Sequence, residues 1–240
     1  MLKELSRRFF NRLLFFTKDV NRTTMANKTQ NTIQITKSII HAASIYKTKL
    51  VGYSFMYIFN NKSIEVIYRA KDFMHLTGVD SKLYANEFYR EAVRGTLQHN
   101  QISFSQRHPY DLCVQKMTQL KNISAVTDSE IIILEDLKTN SFSYKFGLTE
   151  LHFTLCLSED INYQGKIVSD KYVSRSLRIE DSFKRSSNAH KVQHILAKKN
   201  DEKLYNILKY SDKNFDILNL PQEILNKIDF DLITVQKDSM

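Results

Sequence analysis

Apolar residues recur along this chain with two periods, and each change of period marks a new element. From Thr32 to Lys47 they follow a helical spacing, with Ile33, Ile35, Ile39, Ile40, Ala43 and Tyr46 on one side. From Leu50 to Phe59 the period drops to two. Val51, Tyr53, Phe55, Tyr57 and Phe59 alternate with Ser54 and Met56, as in a strand. Asn60-Asn61-Lys62 reads as a hairpin turn into a second alternating run, Ser63 to Arg69. Helical spacing returns from Ser81 to Arg94, with Leu83, Phe88, Ala92 and Val93 on one side. Asp80 or Ser81 serves as its cap and Gly95 as its stop. A short extended piece, Gln101 to Ser105, precedes Pro109, which suits the first turn of a helix running to about Leu120. Cys113, Val114, Met117 and Leu120 form its apolar side.

Strands follow at Glu130 to Leu137, Ser141 to Phe146 and Leu151 to Ser158, so close together that an antiparallel meander is expected. Val192 to Ala197 reads as a further strand. Asp201 caps a helix to about Tyr210, and Pro221 opens another from Gln222 to Ile228. The tail from Gln236 to Met240 is expected to fray. One apolar and one polar sheet face predict an α+β fold, an antiparallel β-sheet with helices packed on one face and extra N- and C-terminal helices. The expected organisation is a basic extension over residues 1–24, a single α+β domain over 25–215 and a C-terminal helical extension over 216–240. In the first of these, Arg7, Arg8 and Arg12 lie among Phe9, Phe10, Leu13, Leu14, Phe15 and Phe16. That amphipathic pattern suits a membrane surface or nucleic acid, or it is an extension ahead of a start at Met25.

Composition narrows the class. A hydrophobic share of 42% supports a real core, and 5 glycines and 2 prolines exclude a low-complexity chain. The net charge of +9 points to a polyanionic partner such as nucleic acid. Most of the excess lies between Lys171 and Lys213. Cys113 and Cys156 have neither CxxC nor metal-ligand spacing and are expected to be reduced, buried thiols of a cytoplasmic protein. No apolar run reaches the ~18–20 residues of a membrane span, so no stable membrane insertion is expected.

Candidate chemistry sits first in Phe73-Met74-His75-Leu76-Thr77-Gly78-Val79, between a strand and a helix. His75 can move protons near neutral pH. Thr77 offers a hydroxyl two residues away, and Gly78 tolerates a positive φ in a tight connection. By residue type alone, His75 is equally a cap or packing residue and Thr77 equally a turn residue. Lys116 has apolar neighbours in helical projection, so it points into a cleft or is an ordinary solvated lysine. Lys171-Tyr172-Val173-Ser174-Arg175-Ser176-Leu177, followed by Arg178, mixes cations, hydroxyls and an aromatic ring; Lys145 is a further cation on the polar side of its strand. Such groups neutralise phosphates, hydrogen-bond their oxygens and stack on bases, or they form a solvated basic loop. Neither a Gly-rich phosphate loop nor HExxH is present, and His190 and His194, four apart, fall in an expected strand. No metal site and no cofactor are expected.

The Phe73–Val79 stretch, together with Phe88-Tyr89, Lys116 and Ser176-Leu177, resembles the phage-associated nucleases related to barnase, EndoU, colicin and RelE toxins, in the subgroup with an F-x-H-L-T-G-[IV] motif. The resemblance covers Leu50 to Tyr210. It departs where a proline is expected before the late serine and Val173-Ser174-Arg175 stands instead. It implies a barnase/EndoU/colicin/RelE-like α+β fold, RNA as substrate and a metal-independent endoribonuclease reaction driven by the ribose 2′-hydroxyl. Carried over residue by residue, His75 is the acid/base, Thr77 positions it or the phosphate, Lys116 stabilises developing charge, and Arg175 and Ser176 hold the phosphate. Lys171, Tyr172, Arg178 and Lys145 complete the expected RNA-binding set. The implied role is a bacterial or phage-encoded effector or toxin, with a neutralising antitoxin or immunity protein as a further partner. The competing readings are a non-catalytic nucleic-acid-binding protein and a protein-interaction module using the same basic surface.

Overall fold

A computed structural model describes residues 29–139, 142–179, 182–231 and 233–235. The expected N-terminal extension and frayed tail lie outside the described residues. The chain enters as α1 (residues 29–49), which buries Ile35, Ile39, Ala43 and Tyr46. Ile35, Ile39, Ala43 and Tyr46 are among the residues that the 3.6-residue spacing selects. β1 (Tyr53–Phe59) and β2 (Lys62–Ile67) form the expected hairpin. Its turn residues Asn60 and Asn61 have φ of 48° and 57°, the left-handed pair that matches the twist of flanking strands.

After β2 a single 3₁₀ turn, Ala70–Asp72, runs into α2 (Phe73–Thr77). The stretch expected as a tight connection is therefore a short helix. Gly78, at φ 75°, ends it in the left-handed conformation. β3 (Asp80–Ser81) pairs with β4 (Ile102–Ser103) in a small ribbon around α3 (Ala85–Arg94), so the helix expected from Ser81 starts later. α4 (Tyr110–Leu120) and α5 (Ala125–Asp128) complete the helical run.

The strands of the second half are β5 (Ile132–Lys138), β6 (Ser143–Thr149), β7 (Thr154–Ile161), β8 (Ile167–Arg178), β9 (Asn188–Lys191), β10 (His194–Lys199) and β11 (Ile207–Ser211), followed by α6 (Gln222–Leu225) and β12 (Thr234–Val235). β5, β6 and β7 form the expected antiparallel meander. The basic stretch is no loop: it forms the longest of these strands, β8. The helix expected over Asp201 to Tyr210 is overturned. Ile207–Ser211 pairs antiparallel with β10, and Tyr205 is drawn under the sheet, where its hydroxyl donates to Glu65. Pairing to a waiting strand edge outweighs a capping signal here.

Among the described residues the large sheet runs β12-β11-β10-β1-β2-β8-β7-β6-β5-β9. It is antiparallel except where β2 meets β8 and β11 meets β12. It also curls back on itself. β9 stands at one end of this order, yet only Val192 and Gln193 separate it from β10, seven places away. Val192 donates its N–H to Ile131 and Gln193 to Ile58, so this short run bridges β5 to β1. Helices α1 to α4 fill the concave side against Phe55, Tyr57, Phe59, Phe146, Leu155 and Leu177. On the opposite face of β1, Met56 and Ile58 pack with Tyr205, Leu220, Ile224 and Ile228, the C-terminal segment supplying the cover. The fold is α+β, with a large, mostly antiparallel sheet, consistent with a barnase/EndoU/colicin/RelE-type nuclease fold.

Candidate functional site

The parallel seam between β2 and β8 sets the geometry. Val66 stands opposite Tyr172 and Ile67 opposite Val173. There β2 ends and its chain turns off into α2, while β8 runs on to Arg178. The overhanging residues 174–178 thus lie alongside α2, which itself packs on α4. A cavity of about 980 Å³ opens at this junction, lined by His75, His108, Lys116, Arg175, Ser176 and Arg178 together with Arg107, Gln115 and Phe142.

His75 is set on α2 between the buried anchors Phe73 and Leu76, leaving its ring exposed. The surrounding protein mass removes enough water to push its pKa below the ordinary value, and the Arg175 and His108 charges add to that push, while Asp72 opposes it. Asp72 itself is buried and accepts from Arg69 Nε at 2.8 Å, and Arg69 also bonds Asp160 of β7. This ion pair ties the start of α2 to the sheet.

Lys116 belongs to the buried stripe of α4 with Cys113, Met117 and Leu120, at 7% exposure. Its stem lies against Gly78. A Cβ built on that glycine would come within 2.7 Å of Lys116 Cδ. Burial, and the nearby Arg178 charge, lower the lysine's pKa. The Cys113 thiol donates to the Gly78 carbonyl at 2.9 Å, fastening α4 to the end of α2. Burial pushes that thiol up to about 11, so it is a structural donor rather than a nucleophile.

His108 was not singled out from sequence. It closes a tight turn with Ser105 just before Pro109, and its Nδ1 lies 2.7 Å from Asp80 Oδ1. A hydrogen bond from Ser105 holds the Asp80 carboxyl below the usual range, with His108 adding to the effect. The only sequence signal was a histidine and an arginine in a polar loop immediately ahead of the helix that carries Lys116.

Of the expected site residues, the structure brings together His75, Lys116, Arg175, Ser176 and Arg178. Thr77 is elsewhere. It is buried, donates to the Met74 carbonyl at 2.7 Å, and thereby closes the last turn of α2. Lys171 donates to Ser54 at 3.2 Å, before the seam. Tyr172 packs edge-on against Phe146, and Lys145 pairs with Asp136 at 3.2 Å; none of the three lines this cavity. His190 and His194 sit on separate strands with separate partners, Asn60 and Ser211. Among the described residues no three His, Cys, Asp or Glu side chains gather as metal donors, and no helix is long and apolar enough to cross a membrane.

With this arrangement in view, a family model described as "phage-Barnase-EndoU-ColicinE5/D-RelE like nuclease4" matches residues 38–214. That span runs from α1 to just past β11 and includes every residue lining the cavity. Among curated proteins and among solved structures no match is found.

Proposed function

The chain belongs to the phage-Barnase-EndoU-ColicinE5/D-RelE like nuclease4 family, and on that premise we propose that it is a metal-independent endoribonuclease. The observation that carries this reading is the pair of imidazoles, His75 and His108, facing one cavity with Lys116, Arg175, Ser176 and Arg178. Cleavage by the ribose 2′-hydroxyl needs a base, an acid and cations, and this set contains all of them.

His75, whose depressed pKa keeps it neutral at physiological pH, takes the proton of the 2′-hydroxyl. The O2′–P bond forms as the P–O5′ bond breaks. His108, oriented by Asp80, delivers a proton to the departing O5′. Lys116 and the two arginines meet the added negative charge of the phosphorane, and Ser176 hydrogen-bonds a phosphate oxygen. The products are a 2′,3′-cyclic phosphate and a 5′-hydroxyl end. The cellular role we propose on the family's description is that of an effector or toxin of phage or mobile-element origin, acting on cytoplasmic RNA and answered by a neutralising partner. The test is incubation of the purified chain with single-stranded RNA in the presence of EDTA. Fragments with those termini are expected from the native chain and none from His75→Ala; cleavage that vanishes with EDTA, or an equally active His75→Ala, overturns the reading.

A further inference from the structure

A second cavity, about 910 Å³, adjoins the first, and Tyr144 lines both. It lies against the end of β5, the start of β6 and Ser158-Glu159 of β7, beside the 3₁₀ turn Phe183–Arg185. Its described lining carries Lys138, Lys145, Lys184 and Arg185 against the carboxylates of Asp136 and Glu159, so cations predominate. Between the two cavities stand Tyr144, buried, and Phe142, which is 65% exposed, with ring centroids 6.4 Å apart. The Phe142 ring meets Tyr144 on one side and stays largely open at the rim of the first cavity. It presents a face of the size and polarity on which a nucleobase stacks.

We infer that the second cavity is the binding subsite for a nucleotide flanking the scissile phosphodiester: its phosphate sits among Lys138, Lys184 and Arg185, and the base between the two sites stacks on Phe142. The inference rests on the ribonuclease reading and adds the length and form of the substrate. That substrate is single-stranded RNA extending at least one nucleotide beyond the cut, since a paired base cannot offer its face to Phe142. Aromatic stacking and phosphate neutralisation are both indifferent to base identity, so this subsite selects strand form and length rather than sequence.

The experiment compares a dinucleotide with a hexanucleotide of RNA, for the native chain, Phe142→Ala, Lys138→Ala and a Lys184→Ala/Arg185→Ala double variant, with thermal midpoints confirming folding. The expected result is a kcat/KM about tenfold or more higher for the hexanucleotide with the native chain, a gain largely lost in all the variants. Dinucleotide cleavage by Lys138→Ala and by the double variant stays within about twofold of native, whereas Phe142 also lines the first cavity and is read by the loss of the length gain alone. Lys138→Ala, at an exposed position, serves if the double variant fails to fold. Equal cleavage of both lengths by the native chain, or an undiminished gain in the variants, overturns the subsite. Binding of a non-cleavable 2′-deoxy hexanucleotide separates the two claims. If nothing is cleaved but the variants lose affinity for that strand at least fivefold, the nuclease reading falls and the subsite stands; unchanged affinity there overturns the subsite too.

Discussion

Each group at the cavity is placed by a different local device, and each can be tested alone. His75→Ala and His108→Ala should each reduce kcat by about 10²–10⁴-fold with KM little changed, as loss of an acid or base does, in a fluorogenic oligoribonucleotide assay. Because partial desolvation by the surrounding protein and the Arg175 charge depress the His75 pKa, the acid limb of kcat/KM against pH should fall below ~6.5, where an unperturbed histidine titrates. The sign is fixed: a base works when deprotonated, so a lower pKa extends activity to lower pH. Arg175→Ala removes one depressing charge and should move that limb upward, whatever it does to the rate. Gly78→Ala combines a φ of 75° with a Cβ only 2.7 Å from Lys116 Cδ. It should cost about 2 kcal/mol of stability and displace the lysine, so that kcat falls even at temperatures where the variant is fully folded.

His75 and Lys116 were singled out through the resemblance carried by Phe73–Val79, since their apolar neighbours, Phe73 and Leu76 for one, Cys113 and Met117 for the other, left a packing or solvated role equally open; the structure puts both at one cavity. Thr77 looked the same on paper. Its hydroxyl instead serves the helix end, a choice that depends on whether α2 is a turn or a helix. His108 and Arg107 were illegible, being ordinary loop residues until the Ser105 turn and Asp80 orient them.

At the level of elements, the period of the apolar residues located α1, the β1–β2 hairpin, α4 and the meander, since each buries one face against the same core. Periodicity failed over Asp201 to Tyr210, where the partner strand β10 decides the conformation. It is also silent about which strands become neighbours, and the placement of Arg175 and Ser176 depends on β8 lying beside β2. The seam at α2 is held by Arg69, Asp72 and Asp160. Asp72→Asn leaves a largely buried guanidinium short of a partner and should lower stability by about 3 kcal/mol, read as a fall in the urea midpoint at constant slope. The same substitution removes a charge that raises the His75 pKa, so in the folded fraction the acid limb should move to still lower pH.

For the whole molecule, the net charge of +9 and the two adjoining basic cavities predict strongly salt-dependent affinity for RNA. Contact with about three phosphates of a single strand gives a slope of about −2 in a log–log plot of affinity against salt, measurable by fluorescence anisotropy with a 2′-deoxy strand; a flat plot would mean the cations do not meet phosphates.

The curl of the sheet carries one more consequence. Its halves, β1 with β2, β10 and β11 on one side and β5 to β8 on the other, share one core and are joined by the Arg69–Asp160 and Lys171–Ser54 contacts, but their backbones meet in the sheet through the two residue pairs between β2 and β8 and through the bent run from β9 to β10. In the sheet, then, the backbone ladder is continuous on one side through the chain itself and on the other through a short latch of two pairs. The imidazole of His75 and the arginines of β8 sit on opposite sides of that latch. A strand of nucleic acid gripping both would therefore hold the latch shut, and amide exchange around residues 66–67 and 172–173 is where that tightening should register first.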